Sequence, residues 1–129
     1  MRISKKTQYG LRAMVCLAKF FPQKQVISLK TISEKEEIPF DFLEKIISEI
    51  EKAGLIKAKK GVQGGYFLAR APQKITVKEI MKILERTTEL APCGGCQKAK
   101  KCLTKDVWKK VEDSLNTALS SITLKSLVK

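Results

Sequence analysis

The spacing of apolar residues changes at Gly54, and this change constrains the fold more than any other feature of the chain. Before Gly54, apolar residues recur every three or four positions, which is typical of amphipathic helices. After it, residues 55–60 and 66–70 have the pattern of two short strands, joined by a glycine-rich turn at 61–65. Two helices with a short connection, followed directly by a hairpin, predict a winged helix-turn-helix. We therefore expect a mainly α-helical fold with one small β-hairpin as its wing.

Capping residues and prolines predict where the first three helices begin and end. Ser4 is the expected N-cap of a helix that runs to about residue 21, and Ser28 of one that runs to about residue 37. Pro39 is expected in the first turn of a third helix, which extends to residue 53. Gly54 is well suited to the position after that helix, because glycine adopts the left-handed conformation at low energetic cost.

The second half of the chain predicts two more helices, on either side of a loop. Thr76 and Glu79 have the spacing of a capping box, which predicts a fourth helix ending near residue 86. Thr104 is expected to cap a long terminal helix with one apolar stripe: Val107, Trp108, Val111, Leu115, Ala118, Leu119 and Ile122. Such a stripe favours packing against a second copy of the chain, and a two-fold dimer matches paired DNA half-sites. The alternative is a helix that folds back on its own core.

These elements divide the 129 residues into four expected parts. Residues 1–72 form a winged helix-turn-helix DNA-binding domain, and residues 73–91 a connecting helix. Residues 92–103 are expected to form a cysteine loop, and residues 104–129 to hold the dimerisation helix and the C-terminal segment.

Charge is segregated along the chain rather than spread evenly. The sequence holds 26 Lys and Arg against 13 Asp and Glu, which gives a net charge of +13. Residues 1–30 carry a local charge of +7, residues 31–56 carry −4 and residues 57–70 carry +4. Blocks of this kind indicate a positive face assembled from separate segments, which favours an anionic partner such as double-stranded DNA. A merely solvated basic surface is the plainer alternative.

The third helix is the predicted recognition helix, but because it is acidic it cannot supply the affinity for DNA. Glu44 would accept a hydrogen bond from a cytosine amino group, and Lys45 would reach a guanine or a phosphate. Affinity is expected from basic residues on phosphates elsewhere, namely Arg2, Lys5, Lys6, Lys59 and Lys60. The full set of candidate DNA contacts is Arg2, Lys5, Lys6, Asp41, Phe42, Glu44, Lys45, Lys59, Lys60, Gln63, Gly64 and Gly65.

Three of the four cysteines lie within ten residues of one another, in a loop rich in glycine and lysine: Cys93, Cys96 and Cys102. Thiolates are soft ligands that suit iron–sulfur clusters or zinc, and glycines let the backbone wrap closely around a metal centre. A metal site accounts for all three thiols, whereas a thiol redox switch accounts for the first two only. Cys16 lies alone on an apolar helix face, and we expect it to be a buried structural residue.

Composition argues against several classes of protein. Histidine is absent, which removes the commonest general base, and no serine nucleophile or paired-carboxylate pattern is legible. We therefore expect no enzyme. No run of about 18 apolar residues is present and no cleavage pattern of a secretory signal follows the basic start. We expect a cytoplasmic protein that does not span a membrane.

Taken in order, these features resemble the IscR/NsrR type of winged-helix regulator over nearly the whole chain. The resemblance rests on short segments in matching order: MRIS at 1–4, YGLRAM at 9–14, FLEKI at 42–46, GLI at 54–56, GGYFL at 64–68, Cys96 with CLT at 102–104, Trp108, and ITL at 122–124. It implies a homodimeric transcription factor of bacterial type that often holds an iron–sulfur cluster whose state changes DNA affinity. Here it implies a cluster on Cys93, Cys96 and Cys102, with 2Fe–2S favoured over 4Fe–4S.

The chain departs from that type at the expected fourth ligand. Lys105 stands where cluster-sensing members carry a histidine, and Gln8 stands where some relatives supply an acid from the other subunit. The gap between the first two cysteines is also shorter than usual. The fourth ligand is therefore unassigned, with these candidates: Asp106, Glu85, Glu89, another oxygen or an exogenous thiol.

Three interpretations of the function stay open. The first is a DNA-binding regulator whose cluster senses iron–sulfur, redox or nitrosative status. The second is a regulator with a metal-free thiol switch, or one whose cysteine loop holds a structural zinc ion. The third is a winged-helix module that binds an acidic protein partner.

Overall fold

The computed structural model describes residues 3–85 and 103–128. Its helices and strands, in chain order, are α1 (Lys5–Lys19), α2 (Leu29–Glu36), α3 (Phe40–Lys52), β1 (Ile56–Lys59), β2 (Gly65–Leu68), a 3₁₀ turn (Pro72–Lys74), α4 (Val77–Leu84), α5 (Lys105–Ser121) and α6 (Leu124–Leu127). The expectation of a mainly helical winged helix-turn-helix with a long helix near the C-terminus is confirmed.

The helices begin where the sequence offers capping side chains. The Ser4 hydroxyl accepts a hydrogen bond from the amide three residues on, at 3.2 Å, and Ser28 does the same at 3.1 Å. Thr76 and Glu79 form the expected capping box, at 3.2 and 3.4 Å. Gly54 follows α3 with φ at +86°, the left-handed conformation that ends a helix. These local predictions are confirmed.

The helix ends that differ from the sequence prediction include the start of α3 and the end of α1. Pro39 is the N-cap of α3, with ψ at 129°, rather than a residue of its first turn. Helix α1 ends at residue 19, because the Phe20 amide bonds back to the carbonyl of Leu17 at 3.2 Å and the chain turns there. In that turn Lys24 adopts a left-handed conformation with φ at 53°, which is uncommon for any residue except glycine.

The hairpin is an antiparallel pair, and a third piece of chain is bonded to its outer edge. Ile56 pairs with Leu68, and the register ends at the tip with Lys59 opposite Gly65. The amide of Ile27 donates to the Tyr66 carbonyl at 2.9 Å, and the Tyr66 amide donates to the Ile27 carbonyl at 2.8 Å. The wing is therefore tied to the connection between α1 and α2.

The core lies where α1, α3 and α4 pack together. Its fully buried side chains include Met14, Ile32, Ile38, Leu43, Ile46, Ile47, Ile50 and Ile80. Each such side chain stabilises the fold by about 1.5–3 kcal/mol relative to exposure. Gly10 allows the helices to approach closely, since a Cβ there would lie 2.2 Å from the Leu84 Cδ1 atom. This core holds α3 in place and leaves its polar face outside.

The C-terminal segment returns to the winged domain after α5. The Ile122 carbonyl accepts a bond from the Val77 amide at 2.9 Å, and the Leu124 amide donates to the Ile75 carbonyl at 3.0 Å. Leu124 is fully buried in the core, at the start of α6. The sequence did not predict α6, because a helix of 4 residues leaves no periodic pattern.

Candidate nucleic-acid interface

In the N-terminal half of α3, one face is polar and exposed, and the other is apolar and buried in the core. Asp41, Glu44 and Lys45 are exposed, whereas Leu43 and Ile46, between and beside them, are fully buried. The exposed positions recur at helical spacing, so they share one surface of the helix. An α-helix with such a face can enter the major groove of DNA and bring donors and acceptors to base edges. The structure thus places three of the sequence-predicted contacts together.

The wing carries the second set of predicted contacts. Lys59 and Lys60 are exposed at the end of β1, and Gln63 is exposed in the tip. Gly64 and Gly65 have a steric role that the sequence did not reveal. A Cβ on Gly64 would lie 2.2 Å from the Lys59 carbonyl oxygen, and one on Gly65 would lie 2.4 Å from the Ile27 carbonyl oxygen. Both glycines are therefore required by the close approach of backbone to backbone.

The basic residues at the start of α1 differ in their surroundings. Lys5 is exposed, with its ammonium 5.9 Å from the centre of the Tyr9 ring. Lys6 instead forms an ion pair with Glu49 of α3, with nitrogen and oxygen 2.6 Å apart. This pair neutralises part of the charge that the sequence assigned to phosphate binding and ties α1 to α3. Arg2 lies outside the described residues.

An aromatic contact, missed by sequence analysis, sets α3 against α1. Tyr9 meets the Phe42 ring edge to face, with centroids 5.6 Å apart and planes at 81°. The Arg12 guanidinium lies 5.6 Å from the centre of the same Tyr9 ring and donates to the Glu36 carbonyl. Lys5, Tyr9 and Arg12 are spaced four and three residues apart, which places them on one helix face and is the signal that could have found this group. Phe42 thus packs against a neighbouring helix.

A carboxylate at the end of α4 is bonded to the beginning of α1. Glu85 Oε1 accepts hydrogen bonds from the backbone amide and the hydroxyl of Ser4, both at 3.0 Å. The Ser4 amide bond, with smaller help from the hydroxyls of Ser4 and Thr7 and from the charge of Lys6, lowers the pKa of Glu85. This contact joins residues 81 positions apart. It joins the end of α4 to the start of α1.

Helix α5 leaves its apolar stripe exposed. None of its residues Lys105–Ser121 is buried, and Val107 and Trp108 expose 52% and 43% of their surface. Val111 and Leu115 continue the same stripe and are also exposed. A helix of 17 residues is about 25 Å long, so the stripe forms an extended apolar surface.

Comparisons with known proteins agree with this arrangement. Residues 3–129 match the family described as "Rrf2: Iron-dependent Transcriptional regulator". The chain belongs to the Rrf2 family. The transcriptional regulator IscR of Escherichia coli is 34% identical over 131 residues, covering 99% of this chain and 80% of that protein. Rrf2 members are transcriptional regulators rather than enzymes, and this confirms the expectation that the chain is not an enzyme.

Two solved Rrf2 structures resemble the chain over nearly its whole length. The IscR of T. potens is 39% identical, covers 98% of this chain and 85% of its own, and superposes with a TM-score of 0.83. CymR, described as the global cysteine regulator of B. subtilis, is 32% identical to this chain and has a TM-score of 0.84. The match covers 98% of this chain and 95% of CymR. The sequence-based resemblance to regulators of the IscR/NsrR kind is confirmed.

The cysteines of this Rrf2 chain fall into two groups. Cys93, Cys96 and Cys102 lie outside the described residues. Cys16 is 3% exposed and unbonded to another cysteine, and burial raises the pKa of its thiol. It is the buried structural residue that its helix position predicts. Within residues 3–85 and 103–128, no group of three or more His, Cys, Asp or Glu side chains is arranged to hold a metal.

Over the same residues, no helix combines the length and the apolar character needed to cross a membrane.

Proposed function

We propose that this Rrf2 regulator binds DNA as a homodimer and reads base edges with the N-terminal half of α3. The observation that carries the proposal is the exposed group Asp41, Glu44 and Lys45 on a helix whose other face is locked into the core. Glu44 is suited to accept a hydrogen bond from a cytosine amino group, and Lys45 to donate to a guanine or a phosphate. Base preference would therefore come from α3.

Affinity would come mainly from exposed lysines on the phosphate backbone. Lys59 and Lys60 project from the wing, and Lys5 from the start of α1. Lys6 contributes less to the long-range attraction of DNA, since its ammonium nitrogen lies 2.6 Å from a carboxylate oxygen of Glu49, which offsets its charge. Contacts to phosphates position a protein on DNA but do not specify a sequence, so the two sets of residues have separable effects.

The homodimer would form through α5. Its exposed stripe of Val107, Trp108, Val111 and Leu115 is the kind of surface that a second copy of the same helix buries. The end of α5 is tied to the winged domain through Ile122 and Leu124. A dimer built on this helix would therefore hold two recognition helices at a defined spacing.

We further propose an iron–sulfur cluster on Cys93, Cys96 and Cys102, with 2Fe–2S favoured over 4Fe–4S. Three thiolates within ten residues are a donor set that fits such a cluster. The family description names iron dependence, which supports the same assignment. A bound cluster would supply iron that changes state with redox or nitrosative conditions.

Among the candidate fourth ligands, the surroundings of two can be compared. Glu85 Oε1 already accepts two hydrogen bonds from Ser4. Asp106 is exposed in the first turn of α5, four residues after Cys102. We therefore propose Asp106 ahead of Glu85, whose role would be to hold the start of α1 against the end of α4. Through this contact the state of the cysteines would reach the DNA-binding domain.

A metal-free thiol switch is the second candidate. The likeness to CymR, described as a regulator of cysteine, favours it, as does the solved oxidised form of CymR from Staphylococcus aureus. The Cys93 and Cys96 pair would then carry the switch.

Anaerobic purification, followed by a visible absorption spectrum and a count of iron, sulfide and zinc per chain, tests the cluster. We expect a broad thiolate-to-iron absorption band with matched iron and sulfide. The band should disappear in Cys93→Ala, Cys96→Ala and Cys102→Ala, and should persist in the matched control Cys16→Ala. A colourless protein with zinc would make the segment structural, and a colourless protein without metal would favour the thiol switch.

The fourth-ligand proposal has a test of its own. Asp106→Ala should shift the band or shorten its lifetime in air, whereas Asp113→Ala, on the same helix, should leave both unchanged. Equal spectra for the two variants would remove Asp106 from the ligand set.

A further inference from the structure

A cavity of about 400 Å³ lies between the end of α1, the α1–α2 connection and the wing. Its base is formed by Leu17 and Leu68, which are 2% and 3% exposed. Phe21, Val26 and Phe67 form apolar walls and are partly exposed. Cavities of about 300–1,000 Å³ with predominantly apolar walls are typical of small-molecule sites. None of the α3 residues proposed to contact DNA lines this cavity.

Lys24 and Lys59 are the charged residues that line the cavity among the described residues, and no acidic side chain lines it there. Neither lysine forms an ion pair within the described part of the chain, in contrast to Lys6 and Arg70. An apolar cavity lined by two unneutralised ammonium groups is complementary to a molecule with an apolar body and one anionic group.

The backbone at Lys24 is fixed in a turn beside the cavity. Its φ of 53° lies in the left-handed region, which is uncommon for a residue that carries a side chain. The turn is fixed by bonds from the Lys24 amide to the Phe21 carbonyl at 2.9 Å and from Gln25 to Phe20 at 3.3 Å. Backbone conformations of this kind cluster at ligand sites.

We propose that the cavity binds a small amphiphilic monocarboxylate. Its aliphatic or aromatic body would contact Leu17, Phe21 and Phe67, and its carboxylate would be bound by Lys24 and Lys59. Because Lys59 is also a proposed phosphate contact, an occupied cavity would withdraw that ammonium from DNA. The ligand would therefore act as an effector that lowers DNA affinity, a consequence that rests on the proposed function, whereas the binding itself does not.

Sodium octanoate is the probe, and 1-octanol is its uncharged counterpart. We expect octanoate to shift the amide NMR signals of Val26, Phe67 and Leu68 in a saturable manner, and octanol to bind more weakly. Lys24→Ala and Lys59→Ala should each weaken octanoate binding about 1.4- to fivefold, the range of exposed ion pairs. Lys78→Ala, which removes the same charge from α4, should leave binding unchanged.

A second variant blocks the cavity without changing its charge. Val26→Trp should abolish the octanoate shifts, because the indole fills the space between the walls. Unsaturable shifts, or equal affinities of the Lys24, Lys59 and Lys78 variants, would overturn the site.

DNA binding measured with and without octanoate separates the two proposals. The expected result is weaker DNA binding in the parent and no effect in Val26→Trp. Saturable octanoate binding with unchanged DNA affinity would overturn the effector role alone. Failure to bind DNA under any condition would overturn the proposed function, and the NMR titration would still decide whether the cavity binds the carboxylate.

Discussion

Replacement of Gly65 by alanine tests whether the wing is held to the winged domain by contact between backbones. A Cβ at this position would lie 2.4 Å from the Ile27 carbonyl oxygen, 2.5 Å from its carbon and 2.7 Å from the Ser28 nitrogen. All three are backbone atoms, so no side-chain rotation relieves the overlap. Ordinary contact begins near 3.4 Å, and β2 must therefore retreat by about 1 Å.

The size of the effect follows from the bonds that this movement breaks. Ile27 and Tyr66 exchange two backbone hydrogen bonds, at 2.9 and 2.8 Å. Each contributes about 1 kcal/mol to stability. We therefore expect Gly65→Ala to lower the free energy of unfolding by about 2 kcal/mol. The protection of the Ile27 and Tyr66 amides from hydrogen exchange should fall with it.

Urea unfolding and hydrogen exchange measured by NMR are the assays, with Gly54→Asn as the control. No atom lies within 4 Å of a Cβ at Gly54, and asparagine tolerates its left-handed φ, so that variant should stay within about 0.5 kcal/mol of the parent. A Gly65→Ala protein as stable as the control, with both amides still protected, would refute the steric reasoning.

Three further predictions address charge and backbone conformation. The backbone bond from Ser4 lowers the pKa of Glu85, so its stabilising contribution is present above about pH 4.3 and is lost as the pH falls through the lower folded value. Glu85→Gln should therefore flatten the dependence of the unfolding free energy on pH below that point. An unchanged pH dependence in this acidic range would contradict the contact between Ser4 and Glu85. Lys24→Gly should be more stable than Lys24→Val by about 1–2 kcal/mol in thermal unfolding, since glycine adopts φ near 53° without strain and β-branched valine does not. Equal stabilities would argue against the left-handed turn. Lys59→Ala and Lys60→Ala should each weaken binding to all DNA sequences and reduce the salt slope by about one, whereas Glu44→Ala should relax base preference in competition assays. Loss of affinity without a changed preference would count against Glu44 as a base contact.

The features that the sequence predicted well are local ones. Ser4, Ser28 and Thr76 cap helices through amides three residues away, and Gly54 ends α3 through its own backbone freedom. The hairpin could be predicted in the same way, because the change in the spacing of apolar residues and the glycine-rich turn lie within about 15 residues of each other. The burial of Cys16 followed from its position on the apolar face of α1.

The features that the sequence did not reveal join distant residues. Lys6 and Glu49 are 43 positions apart, and Ser4 and Glu85 are 81 apart, so neither pair has a periodic signature. The cavity beside the wing likewise depends on the packing of three segments. The assignments of DNA contacts and of Cys93, Cys96 and Cys102 stay predictions, and the three cysteines lie outside the described residues.

Selection of duplexes from a random-sequence pool by the purified full-length chain is the most direct test of a homodimer that reads DNA with α3. We predict an enriched two-fold symmetric sequence whose half-sites are centred about 34–36 Å apart, one turn of DNA, or a multiple of that spacing. Retention of DNA without any enriched sequence would contradict base reading and favour a module that binds an acidic protein partner. An enriched but unpaired half-site would contradict the dimer.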